Sequence, residues 1–142
     1  MLIILIFFVS KPKLKNSNKY TIITNSRWLT MQNDGGSNTN IYYEIDFKNK
    51  IVNKITENYK ANLGKNPKTI ISNDYTKEID NNTSKNLKET IYKLIKNKDI
   101  NNDNNYDCYE IKWDNNKKNI CNINNINKLE KILKKIDKKN LN

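Results

Sequence analysis

Residues 99–110 hold oxygen-bearing side chains at a spacing that suits a hard cation. Positions 1, 3, 5, 7, 9 and 12 of this stretch are Asp99, Asn101, Asp103, Asn105, Asp107 and Glu110. Calcium binds carboxylate, amide and carbonyl oxygens, and a carboxylate at the twelfth position of such a loop supplies two of them. The spacing therefore predicts a calcium site, and calcium is the only cofactor that the sequence suggests.

This stretch resembles the calcium loop of EF-hand proteins, over twelve residues only. Asn104 stands where that loop usually has glycine, although asparagine tolerates the left-handed backbone. The residues after Tyr106 alternate like a β-strand, so the second helix of an EF-hand is not predicted. The alternative is a solvated connector in a chain with 29 asparagines.

The residue types that are missing exclude most catalytic chemistry. The chain has no histidine, so it lacks an imidazole general base and any Ser-His-Asp or Cys-His pair. Two cysteines are too few for a structural zinc site. Glu44 and Asp46 lie on one strand face and could exchange protons, but nothing else in the sequence builds a catalytic cleft around them. We therefore predict that the protein is not an enzyme.

The composition indicates an AT-rich genome and a basic protein. Asparagine occurs 29 times and lysine 25 times, whereas alanine and arginine occur once each. A net charge of +11 favours a nucleic-acid or anionic partner, or else reflects codon bias on a solvated surface. The single arginine, Arg27, argues against base readout by several arginines. Trp28 and Trp113 could stack on RNA, but Trp113 shares its strand face with Ile111, which indicates a core position.

The first ten residues, MLIILIFFVS, are apolar from Leu2 to Val9, and this run is too short to span a bilayer as a helix. Their length fits the apolar part of a secretory signal peptide, although lysines follow it directly. We interpret 1–10 as a signal-like or tethering segment and 11–19 as a basic linker. This predicts a secreted or membrane-associated protein whose membrane contact is made by the N-terminus. The alternatives are a buried first strand in a cytoplasmic protein and a start codon chosen inside a longer gene.

Alternating apolar residues predict the strands. Residues 41–50 place Ile41, Tyr43, Ile45 and Phe47 on one face and pair as a hairpin with 20–32. Residues 50–59 fit either a helical face or a third strand, and 68–79 fit another strand. A last hairpin joins 106–113 to 118–123.

Apolar residues at helical spacing predict helices over 81–99 and 124–139. We expect Asn82, Thr83 or Ser84 to cap the first, and Asn124 or Asn125 the second. The fold class is then α+β, with an antiparallel sheet of about four to six strands and two amphipathic helices on one face. The order is strands, helix, hairpin, helix. One domain covers 20–139, and 140–142 form a frayed tail.

Cys108 and Cys121 are a candidate disulfide, and the register of the last hairpin decides whether they meet. A turn at 115–116 places the two cysteines diagonally on adjacent strands, farther apart than directly opposed residues. A turn at 114–115 removes that offset and allows a bridge. An exported protein favours the bridge, and a reducing compartment favours two free thiols.

Three short stretches carry a resemblance to a known family. They are Gly35–Gly36, the YEID of 43–46 and the DCYEI of 107–111. With the element order between 28 and 136, they resemble small exported α+β proteins such as the emfourin family of protease inhibitors. The resemblance implies a non-catalytic binding module. It identifies no inhibitory residue, and 54–80 have no counterpart in it.

Three functions follow from these observations. The first is a non-enzymatic module, exported or tethered to a membrane, that binds another protein. The alternative is a basic intracellular protein associated with RNA or a ribonucleoprotein, because of the charge. The second alternative is a calcium-dependent form of the first, because of residues 99–110.

Overall fold

The computed structural model describes residues 17–25, 37–60, 68–99 and 108–139. These residues form an α+β protein with a six-stranded antiparallel sheet and two helices, which confirms the predicted class. The strands are β1 (Lys19–Asn25), β2 (Ser37–Asp46), β3 (Ile51–Lys60), β4 (Lys68–Glu78), β5 (Tyr109–Trp113) and β6 (Asn116–Ile120), and the helices are α1 (Asn81–Lys96) and α2 (Ile123–Lys138). Across the sheet the order is β4-β3-β2-β1-β5-β6, so β4 and β6 are its edges.

The two faces of the sheet differ in burial, because successive strand residues point to opposite sides. We call the buried side the core face. It carries Tyr20, Ile22, Tyr43, Ile45, Val52, Ile111 and Ile120. These residues form one hydrophobic cluster with apolar residues of both helices, among them Leu87 and Leu129. We call the other side the outer face, where Ile23 is half-buried beside the fully buried Ile22.

The segment that fitted either a helix or a strand is strand β3. Ile51, Ile55 and Tyr59 recur every four residues, a spacing that also places residues on one face of a strand. Val52 pairs with Ile45 of β2 and is fully buried. The burial of Val52, which lies between Ile51 and Ile55, therefore favours a strand in the sheet.

In both helices the capping residue lies earlier in the chain than predicted. The Asp80 carboxylate accepts a hydrogen bond of 2.7 Å from the Thr83 amide, so Asp80 caps α1. Hydrogen bonds from Thr83 to the Asp80 carboxylate lower its pKa to about 2. Asn122 caps α2 and accepts from the amides of Asn124 and Asn125. The predicted caps were wrong because Asp80 and Asn122, two residues after the preceding strand ends, already accept hydrogen bonds from the first amides of each helix.

The β5–β6 hairpin turns at Asp114 and Asn115. Asp114 has a φ of 49°, as the first central residue of a primed hairpin turn requires. Ile111 consequently pairs with Lys118. The register that follows from a turn at 115–116 is therefore wrong, because this backbone conformation fixes the two-residue turn one position earlier.

The folded part includes the last residues of the predicted linker. The Asn18 carbonyl accepts a hydrogen bond of 2.8 Å from the Phe47 amide, and Ser17 is buried with its hydroxyl donating to Asp114 at 3.3 Å. Residues 17–19 thus belong to the domain. The predicted segment 1–10 and tail 140–142 lie outside the described residues, as do Arg27 and Trp28.

Candidate functional site

The first residue of the predicted calcium loop is engaged in fixing helix α2. The Asp99 carboxylate accepts hydrogen bonds from the amides of Cys121 and Asn122, at 2.5 and 3.0 Å. It also accepts one from the side-chain amide of Asn125 at 3.0 Å. A carboxylate at the first turn of a helix satisfies amides that have no partner within the helix. Asp99 therefore has a structural partner set before any cation is considered.

The last residue of that loop, Glu110, lies on the outer face in β5. It pairs with Ile23 of β1, and its carboxylate is 3.2 Å from the ammonium of Lys112. The four middle residues lie outside the described residues; they are Asn101, Asp103, Asn105 and Asp107. Among the residues that the structure does describe, no group of three or more acidic or cysteine side chains is placed to hold a metal. The calcium site stays a prediction.

Cys108 and Cys121 are joined by a disulfide with Sγ atoms 1.99 Å apart. The register of the β5–β6 hairpin explains this, since Tyr109 pairs with Ile120 and the next pair outward is the two cysteines. The bond closes a loop of 13 residues in sequence separation. It lies beside the Asp99 contacts, so the start of α2 is held both covalently and by hydrogen bonds.

The centre of the outer face is an apolar stripe across three neighbouring strands. Tyr42 of β2 pairs with Ile23 of β1 on one side and with Ile55 of β3 on the other. All three are half-buried. We call Ile23, Tyr42 and Ile55 the outer-face stripe. Such a stripe offers apolar area that a partner could cover.

Carboxylates surround the outer-face stripe. Glu57 accepts a hydrogen bond of 3.3 Å from the Tyr42 hydroxyl, and Glu110 flanks Ile23. Partial burial, followed by the charge of Glu57, raises the pKa of Tyr42 above its ordinary value. Glu44 lies on the same face, two residues after Tyr42 along β2. An apolar centre with a charged rim is the usual anatomy of a protein–protein interface.

Glu44 and Asp46 line a shallow depression of about 330 Å³ at the end of the outer face. Glu44 accepts a hydrogen bond of 3.1 Å from the side-chain amide of Asn53. Asp46 accepts from the amides of Lys48 and Asn49, which hold the β2–β3 turn and lower the pKa of its carboxyl. Each carboxylate therefore has its own partners, and Lys19 also lines the depression, so its lining carries two carboxylates and one ammonium group.

The most exposed large apolar side chains lie on edge strand β4. Ile70 is 62% exposed and Ile71 is 65% exposed, on opposite faces of that strand. Ile71 pairs with Glu57, so it extends the apolar surface beside the outer-face stripe. Beyond Asn73 the pairing with β3 shifts by a bulge, which interrupts the regular edge.

A polar cluster on the core face holds the C-terminal end of α2. Asp137 accepts hydrogen bonds from the hydroxyls of Tyr43 and Tyr75, at 3.0 and 2.6 Å, and an ion pair from Lys54 at 3.2 Å. Lys77 is buried and donates to the last carbonyls of α2, where a cation offsets the helix dipole. Burial, and then Asp137, raises the pKa of both tyrosines. Every group has a partner within the fold, so this cluster is structural.

Charge is distributed unequally between the two sides of the molecule. The outer face carries five carboxylates and three lysines: Glu44, Asp46, Glu57, Glu78 and Glu110, with Lys19, Lys112 and Lys117. The two helices carry nine lysines and three acids. Codon bias adds lysine wherever substitution is tolerated, so it does not explain a sheet face with an acidic excess.

Sequence reasoning missed the outer-face stripe, although it found Glu44 and Asp46 on one strand face. Ile23 lay in a predicted strand and Ile55 in a segment that fitted either a helix or a strand, and neither was assigned to that face. For Ile55 the available signal was its polar neighbours, Lys54 and Thr56, whereas Ile23 follows the apolar Ile22. Only the strand order of the sheet brings them to either side of Tyr42.

Comparisons with known proteins add no relative. No protein-family model matches the chain, and no curated protein and no solved structure matches it either. Within the described ranges, neither helix has the length and apolar character needed to cross a bilayer.

Proposed function

We propose that this protein is a non-enzymatic module that binds another protein through its outer face. The observation that carries the proposal is the outer-face stripe with its rim of carboxylates. The partner would present apolar side chains to Ile23, Tyr42 and Ile55 and basic side chains to Glu44 and Glu57. Charge complementarity of this kind sets the orientation and rate of association more than the affinity.

The proposal requires both helices to cover the core face and leave the outer face open. The contacts of the helices support this arrangement. The ring of Tyr92 in α1 packs edge-on against Tyr20 at 6.4 Å, and Asp137 in α2 binds Tyr43. Tyr20 and Tyr43 both belong to the core face, where they flank the buried Ile22 and Ile45.

We further propose that the module is exported, or tethered to a membrane by its N-terminus. The Cys108–Cys121 disulfide supports this location, because disulfides persist mainly in oxidising compartments. The apolar run of residues 1–10 supports it independently. A fusion of residues 1–20 to a reporter should carry the reporter out of the cytosol, and retention there would contradict the proposed location.

The binding proposal is tested with a displayed library of random peptides selected on the full-length protein. Selected peptides should combine lysine or arginine with apolar residues. Ile23→Lys places a cation in the outer-face stripe and should weaken the selected peptides about tenfold or more, equivalent to ~1.4 kcal/mol. The matched control is Ile123→Lys on helix α2, where the isoleucine is 47% exposed, and it should leave their affinity unchanged.

A second pair of variants separates charge from shape. Glu44→Gln and Glu89→Gln each remove one exposed carboxylate, the first from the outer face and the second from α1. Only Glu44→Gln should reduce the salt dependence of peptide binding. Equal effects of both variants, or peptides that ignore Ile23→Lys, would refute the outer face as the binding surface.

A further inference from the structure

The outward surface of the helix pair is rich in lysines, although α1 also exposes Glu89, and Lys134 pairs with Glu130 at 3.4 Å. Helices α1 and α2 contact each other, and their buried residues belong to one core cluster. The opposite side of the pair therefore carries the exposed lysines together. We call them the lysine surface: Lys85, Lys93, Lys96, Lys128, Lys131, Lys134, Lys135 and Lys138.

The lysine surface lacks the groups that recognise nucleic acid. Proteins that bind single-stranded RNA stack bases on aromatic rings or arginine planes. On the described helices the only aromatic residue is Tyr92, which is half-buried against Tyr20, and there is no arginine. Lysines alone offer flexible point charges, which suit a diffuse anionic surface better than a base-reading site.

One exposed apolar side chain accompanies these lysines. Ile123, the first residue of α2, is 47% exposed and is one of three large hydrophobic side chains that stand out among the described residues. The first lysine of α2, Lys128, follows Ile123 by five residues, and interfacial helices combine lysines with apolar side chains that reach the acyl boundary. Each lysine near an anionic bilayer contributes attraction that salt screens.

We propose that the lysine surface binds membranes that contain anionic lipids. The occupant is identified by charge: eight exposed ammonium groups on one side face the headgroups, and the acidic outer face points away from them. This inference rests on the helix pair and goes beyond the proposed function, which rests on the opposite side of the sheet. A protein partner could then be held by the outer face while the helices lie on the bilayer.

The test is sedimentation of the full-length protein with vesicles of phosphatidylcholine alone or mixed with phosphatidylserine. The quantity of interest is the gain in partition coefficient caused by phosphatidylserine, since the apolar N-terminus contributes to both vesicle types. Replacing Lys131, Lys135 and Lys138 by glutamine should reduce that gain roughly a hundredfold, from the loss of three near-surface charges. Raised salt should abolish the gain.

The matched control removes the same number of charges from the other side. Lys19→Gln, Lys112→Gln and Lys117→Gln together should leave the gain largely intact, because these lysines lie on the outer face. An equal loss in both triple variants, or no gain with phosphatidylserine, would overturn the proposal. Binding of a single-stranded poly-uridine probe would also overturn the proposal if it required the lysine surface and vesicles did not compete with it. Peptide binding to the outer face should survive the helix variant, so the two proposals fail separately.

Discussion

The core face and the outer face of the sheet are built from the same strands and alternate residue by residue, yet they differ in burial. On the core face, Ile22 and Tyr43 pack against the helices, and the Tyr43 hydroxyl donates a hydrogen bond to Asp137. On the outer face, their sequence neighbours Ile23 and Tyr42 are half-buried and bordered by carboxylates. The difference shows that the core face contributes buried apolar area to stability, and we propose that the outer face is available for contact. Adjacent residues therefore form natural matched pairs for experiment.

The largest difference is expected between Ile22→Ala and Ile23→Ala. Ile22 is fully buried, so its truncation leaves a cavity and should lower the free energy of unfolding by about 2–5 kcal/mol. Ile23 is half-buried, and its truncation should cost about 1 kcal/mol or less. Urea unfolding of both variants measures the two values. Similar losses would mean that the outer face is as well covered as the core face.

Removal of the disulfide should have the next largest effect. Cys108→Ser with Cys121→Ser frees a loop of 13 residues in sequence separation, and the free energy of unfolding should fall by about 3 kcal/mol. Comparison of the double variant with the oxidised and the reduced wild type measures the loss. If the bond supports the frame and not the contact surface, the affinity of peptides for the folded variant should not change. A loss of affinity without a loss of stability would contradict that division.

A third pair, Lys77 and Glu78, tests polar groups on the two faces. Lys77→Met leaves the terminal carbonyls of α2 without their buried donor and should cost about 1–3 kcal/mol. Glu78→Gln changes an exposed outer-face residue and should stay within about 0.5 kcal/mol. Thermal unfolding of both variants provides the measurement. Equal shifts in midpoint would show that Lys77 is not an anchor of α2.

The smallest effect concerns alkaline pH. The raised pKa of Tyr43 means that the unfolded chain releases this proton first, near pH 10. Stability from this group is therefore complete below pH 10 and is lost as the pH rises through the folded pKa. Tyr43→Phe should flatten that alkaline decline, and Tyr42→Phe should flatten it less, because Tyr42 lies on the more open face. Unfolding in urea at several alkaline pH values tests this, and identical curves for the two variants would contradict it.

The local part of the fold could be predicted from the sequence. Alternation from Ile41 to Phe47 indicated strand β2, and apolar spacing around Leu87 and Ile91 indicated helix α1. The alternation of single strands does not determine how distant strands pair, because each could be placed beside several others. The order β4-β3-β2-β1-β5-β6 comes from packing of the whole chain. For this reason the outer-face stripe, which joins three strands, could not be assembled in advance.

Turn and cap chemistry set a second limit on prediction. The positive φ of Asp114 moves the hairpin turn by one residue, which brings Cys108 opposite Cys121. The candidate disulfide thus depended on a backbone angle that several residues near the turn could have adopted. Asp99 shows a similar limit. Its residue type suits a cation, but its position beside α2 gives its carboxylate amide partners.

Asp99 and Cys108 are fixed to the frame of sheet and helices on either side of residues 100–107. Asp99 is held by the amides of Cys121 and Asn122, and Cys108 is held by the disulfide to Cys121. We therefore expect changes in the length or the sequence of 100–107 to leave Asp99 and Cys108 in place, because the contacts that hold both residues lie outside that stretch. Residues 100–107 would then be a position at which the fold accepts sequence variation. A lineage that acquired a new recognition loop here, or a designer who grafted one, would leave the sheet and helices as they are.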